Sequence, residues 1–321
     1  MWGNRLGWTL SAASVAAIVA FLAVMSVSAE RAAPRTDFSR DPAHAALIEL
    51  PVDPAIVIPE MIDPRDSTVT YRRAIEQCLF KQLVYEQFAR AGQIRDIEDI
   101  PAVTILLEAA YSTSAEFFLK EPSRVITYES EKPMLDALRT LGKCANRVGM
   151  LIQDDRPAEA MKYYDAAFSL GIKLYRERIT WAELDTGLTL MAENARLIAA
   201  LADGLGKTDR AAAARRFDAA RARYVSDNLL PTQQVMSSPD PNLIATHAGD
   251  VLYFAFHSPE RMWRVEAILC LGRYRFHSER LGDQRSATRA IEDLTRDSDP
   301  IIRSAAMAAR DLTQEQYRLM R

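Results

Sequence analysis

The sequence predicts an all-α protein, with an N-terminal hydrophobic helix followed by a solenoid-like body of helical hairpins. Three observations predict it. From Asp66 onward apolar residues recur at three- and four-residue steps, the period of a half-buried helix, and alternating strand patterns are scarce. The chain has 12 glycines in 321 residues, as expected where long helices need few turns. Its 49% apolar content comes partly from one uncharged N-terminal stretch and partly from alanine at helix contacts. The 40 basic and 43 acidic side chains nearly cancel, which argues against a dedicated nucleic-acid binder with its concentrated basic footprint. The apolar fraction is too high for wholesale disorder, and three cysteines are too few for a disulfide-stapled scaffold.

The first element is residues 6–29, where 24 residues between Arg5 and Glu30 carry no charge, enough to cross a bilayer as a helix. Its densest part, Val15 to Met25, also has the length of a signal-peptide core, and Val27-Ser28-Ala29 suits signal peptidase. Residues 1–29 are therefore either a retained transmembrane anchor or a signal cleaved after Ala29. Arg5 and the amino terminus favour an N-in orientation, while Arg31, Arg35 and Arg40 weaken it. Both readings put the body outside the cytoplasm, as a single-pass membrane protein or as a secreted or periplasmic one. Residues 30–65 hold six prolines and no glycine, the composition of a semi-rigid juxtamembrane linker. Within it, Ile56-Val57-Ile58 can dock as a strap.

In the body, helices are expected from Ser67 or Thr68 to Gly92, from Pro101 to Lys120, and from Lys132 to Gln153. Another starts at Pro157, with Asp155 as a capping residue and Glu159 in its first turn. A longer helix runs from Trp181 to Leu205 and closes at Gly206, and an Arg/Ala-rich one reaches about Leu230. Pro231, Pro239 and Pro241 then break the chain, dividing an α-helical domain at 66–230 from a second part at 242–321.

Two repeat signals lie in the body. Ala160, Tyr164 and Ala167 place small, aromatic and small residues at +4 and +3 spacing, and Ala213, Phe217 and Ala220 reproduce it 53 residues later. This resembles the second helix of tetratricopeptide (TPR) repeats, although that family's period is about 34 and its first-helix features are not in register. Ordinary alanine-rich helix packing accounts for the same pattern. Further on, Arg264, Ala267 and Cys270 lie over Arg303, Ala306 and Ala309 at a constant displacement of 39 residues. The segment L-T-R-D-S-D-P-I-I-R-S-A-A-M-A-A-R resembles a HEAT repeat, and the likeness covers about residues 243–312. It implies that Asp297 and Arg303 pair across the turn, that Asp299 caps a helix with Pro300 at its first position, and that Ala306 and Ala309 admit a neighbouring helix. The earlier copy departs from the pattern. Ser258 replaces the acidic residue, and Pro259 falls two positions early, leaving Arg261 opposite Pro300.

Motifs for chemistry are sparse, and no cofactor or metal is expected. His247, Asp250, His257 and His277 lack a fixed ligand spacing, and there is no Gly-rich phosphate loop or G-x-S-x-G elbow. Glu183 and Asp185 are two apart on a helix and read as solvated surface rather than an acid/base couple. Cys270 reads as a buried thiol on the packing ridge, and a Cys78–Cys144 disulfide stays open. The Arg215, Arg216, Arg221 and Arg223 group reads as a solvated face. The candidate partner-binding residues are Trp263, Arg273, Tyr274 and His277, with core packing and snorkelling arginines as the other account. The expected function is a membrane-tethered, extracytoplasmic helical-repeat scaffold holding a protein or peptide partner without catalysis. The alternatives are a glycan-active all-α enzyme of the envelope and a purely structural envelope protein.

Overall fold

The computed structural model describes Leu50, Val52 and Ile56 and residues 63–91, 100–117, 132–238, 240–276 and 281–320. The apolar stretch 6–29, its cleavage site, most of the linker and His277 lie outside the described residues. Contacts divide the chain into Met1–Arg40 and Asp41–Arg321, and everything described here belongs to the second unit. Among the described residues no helix is long and apolar enough to cross a membrane.

The body is all-α. Helices α1 (Thr68–Phe80) and α2 (Gln82–Ala91) replace the single helix expected to Gly92, because the backbone bends at Lys81 (φ −115°, ψ 34°). Helix α3 (Pro101–Ala110) stops ten residues short of Lys120. There Ser112–Ser114 (β2) turns extended and pairs in parallel with Asp63–Asp66 (β1), the end of the linker. Hydroxyl side chains explain the early stop, since they offer backbone groups partners outside the helix. Ser112 Oγ donates to Ala109 O at 2.9 Å, and Ser67 Oγ to Ser114 O at 3.1 Å. The expected strap is docked where it is described. Ile56 is buried and its carbonyl accepts from Arg210 at 3.3 Å, while Leu50 N donates to the Tyr175 hydroxyl at 2.9 Å.

Four long helices follow: α4 (Lys132–Ile152), α5 (Pro157–Glu177), α6 (Trp181–Gly204) and α7 (Thr208–Tyr224). Short turns make successive members antiparallel neighbours. Helix α5 is the central one, packed by α3, α4 and α6, and is buried almost continuously from Ala160 to Tyr175. Its N-terminus differs from expectation, since Arg156 rather than Asp155 occupies the cap position. Glycines set its closest approach to α6: a Cβ on Gly187 would meet Tyr175 N at 2.8 Å and Gly171 O at 2.9 Å. Thr180 and Glu183 start α6 with a reciprocal capping box, and Gly206 follows its end with φ 71°. Glu183 is thus a fully buried cap rather than the solvated residue expected, because its carboxylate satisfies the amides of Ile179 (2.5 Å) and Thr180 (3.2 Å). Asp185 is exposed and reaches Arg139 at 3.5 Å.

Pro231 does not break the chain as expected. A π-helical turn, Val225–Leu229, shifts the hydrogen bonds by one residue, with Leu230 N donating to Val225 O, and α8 (Leu230–Ser237) continues with Pro231 in its first turn. The break falls at Ser238–Asp240, where Asp240 caps α9 (Pro241–Thr246). Then come α10 (Ala248–His257), α11 (Arg261–Tyr274), α12 (Leu281–Leu294), α13 (Pro300–Asp311) and α14 (Gln314–Leu319). Helix α11 packs against α8, α10, α12 and α13. The segments 66–230 and 242–321 fall within one unit, tied across the prolines by Trp181 stacked on Trp263, 6.3 Å between centroids.

Candidate functional site

The residues first expected to face a partner are placed differently. Trp263 is 1% exposed and Tyr274 2%, so both are core rather than surface. The reason is the central position of α11, which leaves it little solvated face. Arg273 folds back to donate to the Met236 carbonyl, and His277 lies outside the described residues. The repeat positions are better ordered. Ala267, Cys270, Ala306 and Ala309 are fully buried, and Asp299 caps α13 by accepting from Ile301 N at 2.9 Å, with Pro300 in the first turn. The pairing of Asp297 with Arg303 is corrected. Arg303 donates to the backbone carbonyls of Asp297 (2.7 Å) and Ser298 (2.8 Å), not to the carboxylate. The Asp297 carboxylate takes Arg264 at 2.5 Å and the Asp299 amide at 2.8 Å. Burial works against its charge, yet that amide, Arg264 and Arg303 outweigh burial and hold the carboxyl below its usual range.

Arg264 belongs to a cleft of about 320 Å³ built from three inter-helix turns. Arg176, Glu177 and Arg178 come from the end of α5, Ser258, Pro259 and Glu260 from the α10–α11 turn, and Arg261, Arg264 and Asp299 from the starts of α11 and α13. Arg178 reaches Glu260 at 3.4 Å, and Arg261 reaches Asp299 at 2.8 Å. Arg178 also has φ 23°, a left-handed conformation that side chains rarely adopt outside glycine. Its guanidinium offsets that cost by donating to Tyr175 O at 3.1 Å, lying 5.1 Å from the Tyr175 ring centroid and pairing with Glu260. A glycine would adopt the backbone and lose all three contacts. Sequence reasoning missed Arg176, Glu177, Arg178 and Glu260, and no local signal marks them, since they converge only when α5 meets α11.

A second polar cluster is sealed in the core. Lys173 is 1% exposed, and its Nζ lies within hydrogen-bond reach of four acceptors: Ser169 Oγ (2.8 Å), Ala110 O (3.2 Å), Ala109 O (3.3 Å) and the Tyr71 hydroxyl (3.3 Å). Those carbonyls form the negative C-terminal end of the α3 dipole, which takes the place of a carboxylate partner. Burial, with Arg176 adding to it, lowers the lysine to about 7, and burial pushes Tyr71 up. The cluster clamps the C-terminal end of α3 to α5.

The remaining candidates are ordinary structure. Cys78, Cys144 and Cys270 are free, buried thiols, so the Cys78–Cys144 bridge is not formed. Burial raises the first two to about 12, the Cys78 thiol pushing Cys144 up further. His247 pairs with Asp250 at 3.0 Å, and among the described residues no three metal-ligating side chains gather. Arg215 and Arg221 are engaged by Asp203 and Asp218. The fold defines the class, an all-α protein of packed helices. Comparison with known proteins finds no matching family model, curated protein or solved structure.

Proposed function

We propose that the protein is a membrane-tethered, extracytoplasmic helical-repeat scaffold, and that a protein or peptide partner docks in the cleft between α5 and α11. The observation that carries the reading is the convergence of three turns on an open, charged cleft whose lining includes Arg178, with its left-handed backbone. Strain held by surrounding contacts is commonest at ligand sites and switches. The cleft's ion pairs, Arg178 with Glu260 and Arg261 with Asp299, present both guanidinium donors and carboxylate acceptors to the polar groups of a peptide. Support for the repeat architecture is the side-by-side packing of α11 and α13, whose equivalent residues are 39 apart, with Arg264 and Arg261 reaching Asp297 and Asp299 of the following copy. Upstream, Ala160, Tyr164, Ala167, Ala213 and Phe217 are buried, as the tetratricopeptide likeness implies, while Ala220 is only half-buried. A photo-crosslinking amino acid in place of Arg261, in the full chain in intact source cells, tests the reading. Discrete protein adducts are expected there and not from Arg216, which is exposed on α7. Equal yields at both positions, or none at Arg261, overturn it.

A further inference from the structure

Across the bend between α1 and α2, residues Leu79, Phe80, Lys81, Gln82, Leu83 and Val84 form an unbroken exposed run, four of them large and apolar. Phe80 is 85% exposed and Leu83 75%. Exposed leucines taken singly are ordinary, whereas a contiguous apolar patch marks a surface that something covers. The patch is not loosened core, because the inward faces of the same helices bury Tyr71, Ile75, Cys78, Tyr85 and Phe88. Its bend is internally bonded: Lys81 N donates to Gln77 O at 3.2 Å, and Lys81 O accepts from Val84 N at 2.9 Å and Tyr85 N at 3.2 Å. The side chains can therefore leave water without stripping these peptide groups of partners.

We propose that this bend is a foot on the membrane, with Phe80 and Leu83 seated in the interfacial layer of the bilayer and Lys81 between them reaching anionic headgroups. The proposal rests on the tethered reading of residues 6–29. Tether length supports a bilayer as the occupant. Residues 30–49 are 20 residues, which extend to at most about 70 Å. Helix α6, with 24 residues, is only about 36 Å long. The tether thus outreaches that helix, and it keeps the local concentration of lipid surface high enough for a weak contact to count. The chemistry agrees. Aromatic and aliphatic side chains interleaved with lysine match an interfacial surface, where the lysine stem lies in the apolar layer and its ammonium in the headgroups. Arg73 and Arg90 add exposed positive charge on the same two helices, set against exposed Glu76 and the half-buried Glu86 that Arg90 engages at 3.6 Å.

The test uses the full chain in nanodiscs of phosphatidylcholine and phosphatidylglycerol, with an environment-sensitive fluorescent amino acid replacing Leu83. A spin-labelled lipid is expected to quench it several-fold more than the same fluorophore replacing Arg216, and aqueous iodide several-fold less. Phe80→Glu should lower the lipid quenching several-fold without changing the helical circular dichroism, since that side chain contributes little to the core. Iodide quenching as free as at Arg216 overturns the proposal. Shielding from both quenchers also overturns it and assigns the patch to a protein surface or a second copy of the chain. A parallel fluorophore replacing Val15 separates the two readings. Lipid quenching there without quenching at Leu83 removes the foot and keeps the tether, while quenching at neither removes both.

Discussion

Gly187→Ala tests how α5 and α6 are held together. The new methyl would stand 2.8 Å from Tyr175 N and 2.9 Å from Gly171 O, against 3.4 Å or more for ordinary contact. Both obstacles are backbone, so no side chain can rotate away, and the helices must part by 3.4 − 2.8 = 0.6 Å. A gap of that order forfeits a quarter or more of each dispersion contact along the interface. Overpacking of this kind costs about 1–3 kcal/mol, and the upper end applies where backbone must move. Alanine returns about 1 kcal/mol of helix propensity, leaving a net loss of about 2 kcal/mol. Gly204 is the control, because a methyl added there would find nothing within 4 Å. There the same substitution should stabilise by up to about 1 kcal/mol. Gly206→Ala, at φ 71°, should cost about 1–2 kcal/mol through backbone strain alone. Urea unfolding of the full chain, followed by far-UV circular dichroism, reads all three. Equal stabilities for Gly187→Ala and Gly204→Ala would refute the close crossing.

Three other outcomes are expected. Lys173→Met removes a buried ammonium, while Ala109 O keeps Ser112 Oγ and Ala110 O keeps Ser169 Oγ, each at 2.9 Å. Because the folded pKa of Lys173 is about 7 against an ordinary 10.5, the unfolded chain binds the extra proton between those values. Wild-type stability should therefore gain up to about 1.4 kcal/mol per pH unit from this group as pH rises through that window, and be flat in it below pH 7. The Met variant should lack this contribution and be the more stable at pH 6; parallel stability–pH curves would count against the assignment. Asp297→Ala loses Arg264 and the Asp299 amide together. It should cost about 1–3 kcal/mol near neutral pH. Since the folded carboxyl titrates below its usual range, that contribution is present above the unfolded pKa and fades as pH falls through the folded one. Acid titration of wild type and variant should converge. Ala306→Leu places a larger side chain at a fully buried position of α13 and should cost about 1–3 kcal/mol, read as a lowered melting temperature.

Much of the fold was legible where local physics decides. Pro157 and Pro300 stand in first turns, Asp299 caps, and Gly206 follows the end of α6. Legibility fell where a distant partner decides. Trp263 and Tyr274 carry the composition of a binding surface, but α11 is surrounded by four helices and buries them. Glu183 looks like solvated surface until its carboxylate is seen bonded to two amides of the preceding turn. Pro231 should end a helix, yet a π-helical turn absorbs the missing donor.

Taken alone, the sequence determined the helical class, the helix starts at Thr68, Pro101, Lys132, Pro157, Trp181 and Pro300, and the alanine ridge at Ala306 and Ala309, because caps, prolines and the 3.6-residue period act within a few residues. The tertiary structure alone decided the cleft of Arg176, Arg178, Glu260 and Arg261, whose members come from turns more than 80 residues apart. It also decided that Lys173 is held by the end of α3 rather than by an acid, and that Phe80 and Leu83 point outward. Each depends on which helix faces which, a property of side-chain volume and glycine contact across the whole body that no local window contains.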